Sequence, residues 1–242
     1  GSRSFGSDVT RVSRMGVAYA TGMQDVGIMA TAKHFPGHGD TDSDSHKTLP
    51  SVLHDRNRLD SIELKPFREV ANHGIAAMMA AHLYIPSLDS TPGRPSTLSP
   101  LIIDTILRTE LKFKGLVFTD AMTMKGFSEF ATTSTPHVDA LMAGNDVLLF
   151  PGEPAEAIAE IMEAIALSRI DSIFISEKCR RVLAAKAWTR PMRSMDGPYD
   201  SPRAESIHRE LLAKSLTVVT NRNRQLPWNN ELREVESLFI GW

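Results

Sequence analysis

The densest group of chemistry-bearing residues runs from Lys33 to His46, Lys-His-Phe-Pro-Gly-His-Gly-Asp-Thr-Asp-Ser-Asp-Ser-His. It holds three histidines, three aspartates, a lysine and two glycines directly behind the apolar run Ile28–Ala32. Gly37 and Gly39 admit backbone angles that other residues avoid, so a shaped loop is expected. Composition leaves three chemistries open. His34, His38, Asp40, Asp42, Asp44 and His46 are all potential metal ligands. The helical His-Glu-x-x-His spacing of the common zinc hydrolases is absent, however. A solvated polar loop is the plain alternative. The third is acid–base catalysis, with Asp44 orienting His46 two residues further on, a group that titrates near neutral pH.

A second feature is the stretch Gly115-Leu116-Val117-Phe118-Thr119-Asp120-Ala121-Met122. It sets one carboxylate at the tip of an apolar strand. Such a group can cap a helix. Held rigidly, it can also attack an anomeric carbon. His82 stands in the same kind of position after the run Ile75–Ala81, where it either lines a pocket or packs in the core.

These residues need elements to hold them. Apolar runs alternate with amphipathic segments along the chain. Helices are expected over Val9–Val26, Glu63–Asn72, Leu101–Leu111, His137–Ala143, Pro154–Leu167 and Ser172–Ala187. Ser99-Pro100 supplies a cap and a first-turn proline for the third of these. Strands are expected over Ile28–Ala32, Ile75–Ala81, Leu116–Thr119 and Asp146–Phe150. They are continuous rather than alternating apolar runs, the pattern of a parallel sheet buried on both faces. Four strand–helix units in succession indicate an α/β fold. The polar residues collect after the strand C-termini, where both (β/α) barrels and open sheets place their ligands.

Thr189–Arg203 is rich in proline and polar residues and reads as a linker. Beyond it, a helix over Glu205–Ser215 and strands over Leu216–Thr220 and Val235–Ile240 are expected. The expected organisation is therefore a partial barrel over 1–188, a linker over 189–204 and the start of a second α/β domain over 205–242.

Bulk properties narrow the function. The 242 residues are 42% hydrophobic and 23% charged, an ordinary globular balance. A net charge of −2 argues against a dedicated nucleic-acid binder. No apolar run approaches the roughly 18 residues of a membrane-spanning helix. The single cysteine, Cys179, excludes a disulfide framework and a cysteine-based zinc site.

Taken together, Arg3-Ser4-Phe5-Gly6, the Lys33–His46 loop and Phe118-Thr119-Asp120-Ala121-Met122-Thr123-Met124 resemble family 3 of the glycoside hydrolases. The nearer resemblance is to its β-N-acetylglucosaminidase branch, which trims bacterial cell-wall sugars, and it covers residues 1 to about 188. The resemblance implies a (β/α)8 TIM-type barrel, of which this chain would carry the C-terminal half, with the first four strands upstream of Gly1. It implies Asp120 as the nucleophile and His46, paired with Asp44, as the acid/base. It also implies that Lys33, His34 and Arg3 bind sugar hydroxyls, with His82 beside them. No cofactor and no metal are implied. The partner is a small carbohydrate, an N-acetylglucosaminide of muropeptide type. The tail Ala213–Asn221 resembles the opening of the second domain of longer members, which points to the cell envelope rather than the cytoplasm. Glycoside phosphorylase and β-glucosidase activities are the alternatives within the family. A non-catalytic sugar-binding fragment is the alternative outside it.

Overall fold

The computed structural model describes residues 5–41, 49–131, 135–189, 201–216 and 220. The chain divides into two compact units, Gly1–Met192 and Arg193–Trp242. The first opens with α1 (Val9–Gln24), capped by Asp8, whose carboxylate accepts the Arg11 N–H. Then come β1 (Thr31–Phe35), α2 (Arg56–Arg58), a π-helical segment (Leu59–Glu63) and α3 (Leu64–Asn72). β2 (Ala77–Ala80) leads through a 3-10 turn (Ser96–Leu98) to a second π-helical segment (Leu101–Glu110). β3 (Leu116–Thr119), α4 (Lys125–Ala131), α5 (Pro136–Met142), α6 (Pro154–Ala166) and α7 (Ser172–Trp188) follow. In the second unit α8 (Ser201–Ser215) is described.

The sheet is parallel and its order is sequential, β1-β2-β3. Phe118 of β3 pairs in parallel with Val147, extending the same order by one position. Among the described residues no strand reverses that order, as it would at the switch point of an open doubly wound sheet. This is the α/β fold of TIM-barrel type expected from the sequence, with a sheet that does not close.

Pairing shifts the first strand relative to its apolar run. The expected strand Ile28–Ala32 becomes Thr31–Phe35, so Lys33 and His34 lie within β1 rather than behind it. The reason is register: Ala32 pairs with Met78 and Phe35 with Ala80. Two residues on β1, Lys33 and His34, thus face one on β2. That is a β-bulge, a device that re-aims side chains. The fourth expected strand, Asp146–Phe150, forms only the bridge at Val147. Its ladder is diverted because the Leu149 N–H goes to the Thr119 hydroxyl at 2.8 Å instead of a carbonyl.

The helix expected over Leu101–Leu111 is π-helical: the Leu111 N–H returns to the Ile106 carbonyl, five residues back. Its apolar spacing, with Ile102, Ile103, Ile106 and Leu107 buried, does not distinguish the two windings. The helical stretch expected from Glu63 begins seven residues earlier, because Asp55 caps it by accepting the Arg58 N–H. α4 had no counterpart among the expected elements. α8 begins inside the stretch expected as a linker, with Pro202 in its first turn, where a missing N–H loses no hydrogen bond. The strand expected over Leu216–Thr220 lies mostly, and that over Val235–Ile240 wholly, outside the described residues. No described helix is long and apolar enough to cross a membrane.

The main core lies between the sheet and the segments flanking it. Phe35, Leu64, Met78, Ile103, Leu107 and Val117 are all fully buried there. Each such side chain contributes about 1.5–3 kcal/mol by leaving water. Gly115 permits the close entry into β3: a Cβ there would meet the Ala76 carbonyl oxygen at 2.3 Å.

Below the sheet, a buried ion cluster gathers around Asp146. Its Oδ2 accepts from Arg108 Nη2 at 2.6 Å and from the Val117 N–H at 2.9 Å. Arg108 also donates to the Gly115 carbonyl. Lys178 of α7 donates to the Asn145 carbonyl and lies 3.9 Å from Asp146 Oδ1. The cluster ties β3, the π-helical segment and α7 to one carboxylate.

Burial pushes the Lys178 ammonium down from 10.5 to about 8. The unfolded chain then binds more protons than the folded one between those values, so stability rises with pH across that window. The penalty is complete below pH 8. Lys178→Met removes this slope. From about pH 8 to about pH 10, wild-type stability should gain up to about 2 kcal/mol relative to the variant, measured by urea denaturation. A pH-independent difference would refute the assignment.

Candidate functional site

The parallel register brings three strand ends into one row, Phe35, Ala80 and Thr119. Chemistry-bearing residues sit on or beside that row. Asp120 follows β3 directly, and its N–H continues the ladder to the Ala80 carbonyl at 2.8 Å. Its side chain is 18% exposed. Oδ1 accepts the N–H of Ala121 at 2.8 Å. Oδ2 lies 3.7 Å from His34 Nε2. One oxygen is therefore tethered to the backbone, and the other faces the bulge of β1. Lys33 of β1 is exposed, and the peptides Lys33–His34 and Phe35–Pro36 are cis.

His82 takes a different place. It is buried, with 1% of its surface exposed. Nε2 is 3.0 Å from the Ala121 carbonyl, and Nδ1 is 2.7 Å from the Thr97 hydroxyl. Phe127 packs on the ring at 4.7 Å between centroids. Burial lowers its pKa, against an opposing pull from the Asp120 charge. Both ring nitrogens are engaged inside the protein, so in this arrangement neither is left for a sugar. Thr97 did not stand out in the sequence, since nothing in a run of polar turn residues marks one hydroxyl as the partner of a distant histidine.

The root of the polar loop is anchored. After β1 the chain folds back, and the N–H groups of Gly37 and His38 both reach the His34 carbonyl. His38 Nδ1 and the Thr41 hydroxyl are 3.2 Å apart. Asp40 pairs with His54 at 2.8 Å and with Arg58 at 3.4 Å, and Arg58 also reaches Glu63 at 3.1 Å. Asp40, His54 and Glu63 form the one group among the described residues with metal-ligand spacing. The guanidinium of Arg58 already bridges its two carboxylates, so the group contains its own cation. Of the residues singled out in the sequence, His34 and Asp120 come together, Lys33 precedes His34 on β1, and His82 lies behind Asp120, bonded to Ala121. Arg3, Asp44 and His46 lie outside the described residues.

The fold and these strand-end residues define a barrel-type α/β domain with a carboxylate site at its C-terminal face. The family profile described as "Glycosyl hydrolase family 3 N terminal domain" matches residues 1–185. The chain belongs to that family. It is 30% identical to the beta-hexosaminidase A of Pseudoalteromonas piscicida, over 90% of this chain and 40% of the relative. A family 3 β-N-acetylglucosaminidase from Paenibacillus sp. FPU-7 superimposes with a TM-score of 0.78 at 36% identity, covering 86% of this chain and 41% of that one. The β-glucoside phosphorylase BglX gives a TM-score of 0.83 at 25% identity, covering 93% and 43%. The chain spans less than half the length of each of these three proteins.

Gly37 joins the loop to the helical layer. Its φ is +138°, and a Cβ there would lie 2.6 Å from Glu63 Cβ. Gly39 has nothing within 4 Å of a built Cβ. Gly37→Ala should therefore destabilise by about 1–3 kcal/mol. Gly39→Ala should be close to neutral in the same thermal denaturation experiment. Equal effects at the two glycines would refute the close packing of this turn on Glu63.

Proposed function

We propose that this chain carries the catalytic site of a retaining, exo-acting β-N-acetylglucosaminidase. Its substrates would be terminal N-acetylglucosaminides, of peptidoglycan origin. The observation that carries the proposal is the Asp120 carboxylate at the end of β3, with one oxygen tethered and the other open toward His34. The beta-hexosaminidase name of the Pseudoalteromonas relative and the β-N-acetylglucosaminidase name of the Paenibacillus structure supply the sugar.

In this mechanism Asp120 Oδ2 bonds to the anomeric carbon as the glycosidic C–O bond breaks. The proton for the departing oxygen comes from His46, which Asp44 orients. Water then attacks the glycosyl-enzyme and gives its proton to His46, and Asp120 leaves as a carboxylate with net retention. A histidine in that role sets less negative charge against the nucleophile than a second carboxylate does. Lys33, His34 and Arg3 would hold sugar hydroxyls. We further assign residues 1–188 to the C-terminal half of the barrel and residues 205–242 to the start of a second α/β domain.

A second reading is a glycoside phosphorylase. It rests on the likeness to the β-glucoside phosphorylase, whose TM-score is 0.83. A histidine acid/base admits anionic phosphate where a second carboxylate would repel it. Product analysis separates the two: free N-acetylglucosamine in phosphate buffer supports hydrolysis, and sugar 1-phosphate supports phosphorolysis.

In the full-length protein, Asp120→Ala should abolish turnover of an aryl N-acetylglucosaminide. His46→Ala should slow it by about 10²–10⁴. Wild-type rates in Asp120→Ala would end the proposal.

A further inference from the structure

His82 is buried just behind the strand end that bears Asp120, and its proton can be located from its partners. The Ala121 carbonyl can only accept, so Nε2 carries a hydrogen. The Thr97 hydroxyl has one proton and two acceptors within reach, His82 Nδ1 at 2.7 Å and the Ala81 carbonyl at 2.6 Å. The Ala81 carbonyl, with two lone pairs, accepts from both the Thr97 and the Ser96 hydroxyls, each at 2.6 Å. The Thr97 oxygen, 2.7 Å from Nδ1, holds the second ring nitrogen in place.

This arrangement holds Ala121 at two points. Its N–H is bound to Asp120 Oδ1, and its carbonyl accepts from His82 Nε2 and from the Met124 N–H. The Ala121 N–H reaches Oδ1 at 2.8 Å, and the hydrogen bonds on the carbonyl that follows restrain the backbone that carries it. We infer that His82 is a positioning residue for Asp120: through the Ala121 backbone it keeps Oδ1 tethered and leaves Oδ2 as the attacking oxygen. The inference rests on Asp120 being the nucleophile and deepens that reading. It differs from a sugar-binding role, because His82 acts through the protein and not on the substrate.

The two roles separate in steady-state kinetics. A positioning residue changes the rate of attack, whereas a sugar ligand changes the affinity. In the full-length protein with an aryl N-acetylglucosaminide, His82→Leu should lower kcat by about 100-fold, the scale of an ångström misplacement. KM should stay within about threefold of wild type. His82→Gln keeps an N–H donor toward the Ala121 carbonyl and should recover most of the lost kcat. Thr97→Val removes the hydroxyl that engages Nδ1 and should give a smaller, kcat-selective loss.

A raised KM with kcat preserved would overturn the inference, as would equal losses in the Leu and Gln variants. If His82→Leu does not fold, Thr97→Val decides: wild-type kcat there overturns it. An inactive Asp120→Ala beside a fully active His82→Leu would reject the positioning role alone. An active Asp120→Ala would reject the nucleophile and the positioning role together.

Discussion

The site depends on one backbone hydrogen bond, from the Asp120 N–H to the Ala80 carbonyl. It is the last rung of the β2–β3 ladder and fixes where β3 stops being a strand. A carboxylate one residue further on would hang from a loop. One residue earlier it would occupy the place of Thr119, whose side chain is buried against Leu149. Parallel pairing makes this position rigid because the same row also sets Phe35 beside Ala80. The register shift at Lys33–His34 sets an extra residue of β1 against β2 just before that row. Sheet register, rather than any contact within the polar loop, brings His34 within 3.7 Å of Asp120.

The opposite end of the sheet is held by charge. Asp146 is buried with Arg108 beside it and Lys178 and Arg181 close by. Breaking such a cluster by removing one member leaves an uncompensated buried charge, the more damaging event for stability. Its placement divides the strand ends by task. The N-terminal ends, where Gly115 meets Ala76, are fixed by ionic and steric contacts. The C-terminal ends keep their polar groups within reach of solvent. Barrel-type domains separate stability from chemistry in this way.

The order of elements was legible from the sequence because buried parallel strands read as unbroken apolar runs. Leu116–Thr119 was legible to the residue, since Gly115 and Asp120 bracket it. β1 was not. Its apolar run ends at Ala32, but pairing with β2 carries the strand through Lys33 and His34, and no local signal encodes a bulge. The fourth strand failed for a related reason, because a threonine hydroxyl on β3 took the hydrogen bond that a ladder would have used. Among site residues, the approach of His34 to Asp120 followed from their place at strand ends. The partners of His82 did not, since Thr97 lies 15 residues away in a turn and Ala121 contributes only backbone.

Four histidines of the chain show why residue type alone was an ambiguous guide. His34 is partly exposed and faces a carboxylate oxygen. His54 is paired with Asp40 at the root of the loop. His137 sits between Glu160 and the Pro151 carbonyl, joining α5 to α6. His82 is sealed in the core with both nitrogens engaged. Only burial and the donor or acceptor character of each partner separate them. A carbonyl partner demands an N–H, and a buried ring resists a second proton. Those two conditions make His82 a fixed donor. His34, partly open to solvent, stands instead with Nε2 3.7 Å from Asp120 Oδ2.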